Sequence, residues 1–127
     1  MKKLFLLISH KLNSSQKESA RKLYKVDEFV YLPLDLQSLW SKVPPNIEKI
    51  REYLAPLKSY LKSNANNEDI VLIQGDFGTT YHMVDFAKKR GLIPIYATTK
   101  REVKEYMKDE KLIKESIFEF ERFREYE

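Results

Sequence analysis

The chain contains no cysteine. That excludes disulfides, thiolate metal sites and a cysteine nucleophile, and it suits a reducing compartment, so a cytoplasmic protein is expected. Only three glycines occur among 127 residues, so places for unusual backbone geometry are few. No apolar run approaches the length of a membrane span, and no membrane partner is expected. The start, Met1-Lys2-Lys3 followed by Leu4–Ile8, loosely resembles a secretion signal. Its apolar part is short, however, and Ser9-His10-Lys11 replaces the small-residue cleavage site, so the segment reads as a first strand.

What is present fits one folded domain spanning residues 1–127. Hydrophobic residues make up 43% and charged residues 33%, enough for a single core and a soluble surface. Net charge is +4 and uneven. Residues 1–25 carry seven Lys/Arg against Glu18 alone, whereas the last thirteen residues carry five Glu and two Arg. The basic patch favours an anionic partner but is too small to demand long nucleic acid.

Strands alternate with helices along the chain. Leu4–Ile8, Phe29–Leu32, Ile70–Ile73 and Leu92–Ala97 read as strands, with Ser116–Tyr126 as a last one. Ser15-Gln16-Lys17-Glu18 has capping-box spacing for a first helix. After a short helical turn over Leu34–Trp40, a second helix is expected from Pro44-Pro45 through the stripe Ile47, Ile50, Leu54, Leu57 and Leu61, kinked at Pro56. A third runs from Tyr81 to Arg90 and stops at Gly91, and a charged helix is expected over Lys100–Lys108. The order implies a Rossmann-like, doubly wound, mostly parallel α/β sheet.

In open sheets of this kind ligands bind beyond the carboxyl ends of the strands. Those ends hold Ser9-His10-Lys11, the glycine turn Gly75-Asp76-Phe77-Gly78-Thr79-Thr80, and Thr98-Thr99-Lys100-Arg101. The glycine turn lacks the spacing of a P-loop and the third glycine of a dinucleotide fingerprint. It reads as a cradle in which main-chain amides and the Thr79 and Thr80 hydroxyls hold a phosphate or sugar, or else as a tight strand-to-helix turn. Thr98–Arg101 reads as a second anion site at a helix start, or as a plain N-cap. His10 has the chemistry to move a proton near neutrality. Asp76 is a candidate to orient a ribose hydroxyl, to act as a base, or only to cap the turn. Two acids at the strand ends, Asp35 and Asp76, are too few for a two-metal nuclease, so no metal and no cofactor are expected.

These residues resemble a known family. Leu6-Leu7-Ile8-Ser9-His10, Glu28–Pro33, Leu39-Trp40-Ser41 with Pro44-Pro45, Ile73–Gly78, Ile95–Arg101 and Phe123–Glu127 are similar to small stand-alone CRISPR-associated ring nucleases of type III systems, related to the CRISPR-associated Rossmann fold. The resemblance implies a cyclic oligoadenylate ligand, chiefly the tetra-adenylate, bound across a homodimer. It implies metal-independent attack of a ribose 2′-hydroxyl on the adjacent phosphate. It assigns Gly75, Phe77, Gly78, Thr79 and Thr80 to a cradle, and Ser9, Thr98, Thr99, Lys100 and Arg101 to the neighbouring phosphate. His10 is assigned to proton transfer and Asp76 to the 2′-hydroxyl. The rival readings are a sensor or sponge that holds the ring uncut, and a metal-dependent nuclease.

Overall fold

The first strand, β1 (Lys3–Leu7), is apolar and buried from Leu4 onward because both of its sides are covered there. Side chains alternate across a strand. Phe5 and Leu7 enter one apolar cluster, while Leu4 and Leu6, with Ile8 just beyond, enter another. The computed structural model describes residues 1–127, and its elements sort onto these two faces. Helix α1 (Ser14–Tyr24) covers one face through Ala20. Helices α2 (Leu34–Ser41), α3 (Ala55–Asn64) and α4 (Phe77–Lys89) cover the other, through Leu36 and Trp40, Leu57 and Leu61, and Met83 and Ala87.

The sheet is mixed and five-stranded. Strands β1, β2 (Glu28–Tyr31), β3 (Ile70–Ile73) and β4 (Ile93–Lys108) pair in parallel, and β5 (Lys111–Glu125) runs antiparallel to β4. The spatial order is β2-β1-β3-β4-β5. The mostly parallel α/β character read from the sequence is thus present, with an antiparallel strand added at one edge. Pro94 sits inside β4 opposite Val71. Its carbonyl accepts from the Tyr126 amide at 3.0 Å, on the β5 side, so its missing donor leaves the β3 pairing intact. No helix is long and apolar enough to cross a membrane.

Three local expectations are corrected. The cap of α1 is Asn13 rather than Ser15: Asn13 Oδ1 accepts from the Gln16 amide at 2.8 Å, and Gln16 Oε1 accepts from the Asn13 amide at 3.0 Å. No helix starts at Pro44-Pro45. Helix α3 begins at Ala55 and carries Pro56 in its first turn, where a missing N–H costs nothing and no preceding turn exists to clash with the ring. Lys100–Lys108 is strand, not helix. It continues β4 and pairs with β5 along its whole length, from Lys100 opposite Glu119 to Lys108 opposite Lys111. The two strands are joined by Asp109 and Glu110, both left-handed at φ 50° and 63°, the geometry of a two-residue hairpin turn that follows the natural strand twist.

Only Ile93–Ile95 of β4 pair with β3. From Thr99 to Glu119 the β4–β5 pair is a two-stranded ribbon that projects beyond the sheet by about 33 Å, at ~3.3 Å per residue.

Candidate ligand crevice at the strand ends

The chain leaves β1 toward β2 and leaves β3 toward β4, so the direction of winding changes between these two neighbours. At such a switch the two connecting loops part and leave a crevice. Residues 8–13 and 74–76 form those loops. They lie side by side, because the Gln74 amide donates to the Leu7 carbonyl at 3.1 Å. Helix α2 fastens both of them. Gln37 Nε2 donates to the Ile8 carbonyl at 2.8 Å, and Trp40 Nε1 donates to the Gln74 carbonyl at 3.1 Å.

One side of the crevice is cationic. A cleft of about 530 Å³ beyond β1 and β2 is lined by Ser9, His10, Lys11, Lys17, Tyr31 and Gln37, together with Leu32 and Leu34. No carboxylate lines it. Two ammonium groups without a neutralising acid make a positive potential that concentrates anions.

The other side is aromatic. A cleft of about 300 Å³ is lined by Gln74, Gly75, Phe77, Thr80, Tyr96 and Tyr126. Phe77, on the first turn of α4, is 94% exposed. Tyr96 and Tyr126 lie with ring centroids 4.7 Å apart, and the Arg124 guanidinium sits 5.1 Å above Tyr96. Tyr126 Oη donates to the Ile73 carbonyl at 2.6 Å. Burial, and secondarily the Tyr96 hydroxyl, push the Tyr126 hydroxyl above its ordinary pKa. Gln74 Oε1 accepts from the Ala97 amide at 2.9 Å, which ties the β3 end to β4. Thr80 Oγ1 is enclosed and has no hydrogen-bond partner. Such an orphaned hydroxyl is uncommon and costly.

The residues expected at the site divide between these clefts and elsewhere. Ser9 and His10 line the cationic side; Gly75, Phe77 and Thr80 line the aromatic side. Residues 77–80 are the first turn of α4 rather than a free loop. Asp76 is its N-cap: Oδ2 accepts from the Thr79 amide at 3.1 Å, and the buried Thr79 hydroxyl donates back to the Asp76 carbonyl at 3.1 Å. Gly78 looks into a different cleft, shared with Arg51 and His82.

The turn and helix start expected at Thr98–Arg101 are corrected. Thr98-Thr99-Lys100-Arg101 is extended, with a register shift between Thr98 and Thr99, and precedes no helix. Thr98 Oγ1 donates to the Arg122 carbonyl at 2.9 Å, Lys100 pairs with Glu102 at 3.4 Å, and Arg101 donates to Ser116 Oγ at 3.0 Å. Lys100 lies four residues past Tyr96, roughly 13 Å along the strand. The positive charge at the crevice comes instead from Lys11 and Lys17. The basic excess of residues 1–25 is its signal in the sequence, but only the packing of α1 brings Lys17 to the end of β1. Gln37, Gln74, Tyr96 and Tyr126 complete the crevice. Nowhere do three His, Asp or Glu side chains converge as a metal site would require.

The arrangement can therefore take an anion on one side and a flat aromatic group on the other. It defines a mixed α/β domain with a ligand-sized crevice at the carboxyl edge of its parallel strands. The chain belongs to the family described as "Uncharacterized protein MJ1673 family", which matches residues 2–124. The protein of Methanocaldococcus jannaschii described as "Uncharacterized protein MJ1673" is 55% identical over 126 residues, covering 99% of this chain and 98% of that relative. No solved structure matches the chain.

Proposed function

We propose that this protein is a metal-independent ring nuclease. It binds cyclic oligoadenylate, with the tetra-adenylate as the expected ring, and cuts it to end type III CRISPR signalling. A Rossmann-like, doubly wound frame and a homodimer belong to this reading. The observation that supports it is an acid-free cationic cleft beyond β1 and β2 and an aromatic cleft at the end of β3, the strand next to β1. An adenylate unit carries both groups these clefts suit. Its phosphate fits beside Lys11, Lys17 and Ser9, and its base fits against Phe77 and Tyr96.

In the proposed step a ribose 2′-oxygen bonds to the adjacent phosphorus while the bond from phosphorus to the 5′-oxygen breaks. The 2′-hydroxyl loses a proton and the 5′-oxygen gains one, leaving a 2′,3′-cyclic phosphate and a 5′-hydroxyl. His10 is the side chain in the cleft suited to carry that proton. The lysines offset charge on the phosphate oxygens. Thr80 Oγ1 lies enclosed at the aromatic cleft without a partner in the protein, so it meets a ligand only if the first turn of α4 shifts. Asp76 caps α4 through Oδ2, so its assigned contact with the 2′-hydroxyl falls to Oδ1.

One observation favours binding without cleavage. His10 is the sole imidazole lining the cationic cleft and no carboxylate lines it, so a second acid–base partner must come from the ligand or from another copy. Incubating the purified protein with cyclic tetra-adenylate in EDTA separates the two. Linear products ending in a 2′,3′-cyclic phosphate establish the nuclease. Intact ring with tight binding establishes a sponge, and no binding removes both.

A further inference from the structure

The ribbon of residues 99–119 has one face that the protein leaves uncovered. Side chains alternate, so Thr99, Arg101, Val103, Glu105 and Met107 of β4 share a face with Phe120, Phe118, Ser116, Lys114 and Leu112 of β5. Val103, Met107, Leu112 and Phe118 are each more than half exposed, and all four lie on this face. A lone two-stranded ribbon is marginal in water. An apolar stripe of this length on a projecting arm marks a contact surface.

We infer that this face is the contact between two copies of the chain, with the arms exchanged. The first argument is charge. Residues 99–119 hold six Lys/Arg and six Asp/Glu, so the arm is neutral and the net +4 of the chain resides elsewhere. A neutral arm has no general attraction for a polyanion, and a patch of both signs is able to match itself.

The second argument is order along the arm. A two-fold axis at the level of Val103 sets Arg101 of one copy against Glu105 of the other, twice, and Glu105 then bridges Arg101 of the other copy and its own Lys114, 3.6 Å away. The same axis carries Met107 and Leu112 at the tip of one arm to Phe120 at the base of the other.

The third argument is the place where the tip arrives. A cleft of about 430 Å³ between α1 and β5 is lined by the exposed Leu23 together with Phe120, Ser19 and Lys22. The arm face alone, about 33 by 10 Å, is small against the roughly 800 Å² per copy of a stable interface. Seating the tip beside α1 brings the contact toward that size.

This arrangement shares with the ring-nuclease reading only the expectation of two copies, and its test reads mass rather than turnover. Sedimentation of the full chain at micromolar concentration should give twice the 15.2 kDa of a single chain. Met107→Glu with Leu112→Glu should raise the dissociation constant on the order of 100-fold while the circular dichroism stays unchanged. Arg101→Glu and Glu105→Arg should each weaken the dimer, and the double exchange should restore it. A monomeric wild-type chain, or a dimer indifferent to the tip substitutions, overturns the inference. If the tip variant misfolds, the charge exchange decides: a double exchange no tighter than the singles is equally fatal.

Discussion

Trp40 lies directly under Gly75. A Cβ built on Gly75 would stand 3.0 Å from the indole ring, and the same indole donates to the carbonyl of Gln74. The glycine is therefore required first by the core beneath it. Its openness to a ligand follows from that, because a bare backbone over a fixed ring leaves the crevice floor flat.

Gly75→Ala should destabilise by about 1–3 kcal/mol, because the buried ring of Trp40 must shift. Gly78→Ala should not. Its Cβ would meet Asp76 Oδ2 at 3.5 Å, an ordinary contact, and alanine favours the helix by roughly 0.5–1 kcal/mol. Thermal unfolding of the two variants side by side checks this. Equal shifts would remove the indole from the explanation.

Asp76→Ala should cost about 1 kcal/mol through loss of the cap on α4, and Asp76→Ser should recover most of it. The same pair of variants tests chemistry. If turnover of cyclic tetra-adenylate follows stability and returns with serine, Asp76 positions α4 only. Loss of turnover in a stable Asp76→Ser protein would make the carboxylate itself part of the reaction.

His10 is exposed and leaves the core untouched, so His10→Ala should keep the melting temperature. On the proposed mechanism it should slow cleavage by roughly 10²-fold or more while binding is largely kept. Lys11→Glu with Lys17→Glu should do the reverse, weakening binding and flattening its dependence on salt. A His10→Ala enzyme of normal rate would take the imidazole out of the mechanism.

Tyr126→Phe should cost on the order of 1 kcal/mol at neutral pH, since the Ile73 carbonyl loses its donor. The hydroxyl has a folded pKa raised above 10, by burial first and by Tyr96 second. A raised value means the neutral form is favoured in the fold. Its contribution is thus complete below pH ~10 and is lost as the pH climbs through the raised value. Melting temperature against pH, with tyrosinate absorbance as the companion signal, should show an alkaline limb that is shallower in Tyr126→Phe.

The parts legible in the sequence were those fixed by local pattern. Leu4–Ile8 and Ile70–Ile73 read as strands because a parallel strand covered on both faces is apolar at every position. The turn into α4 was legible from glycine spacing and Gly91 as a stop, and Gly91 indeed adopts φ 72°. The arm was not legible. Val103, Tyr106 and Met107 repeat at helical spacing amid lysine and glutamate, both good helix formers, and only pairing with residues up to Phe120 makes them extended. The stripe from Ile47 to Leu61 misled for a related reason: Pro56 opens a helix rather than bending one. The crevice was half legible. Loops after β1 and β3 announce themselves by position, but the cations came from a helix that tertiary packing swings into place, and Tyr126 from a strand that returns from the far end of the arm.

Strand β4 is one unbroken backbone living in two environments. Up to Ala97 its amides are held between β3, β5 and the Gln74 side chain, and they should exchange with solvent only when the whole protein opens. Past the register shift at Thr98/Thr99 they have a single neighbour and should exchange by fraying, orders of magnitude sooner. The boundary between slow and fast protons therefore falls inside a single strand, two residues from the ring of Tyr96. Any companion that clasps the arm should announce itself by moving that boundary outward toward Asp109.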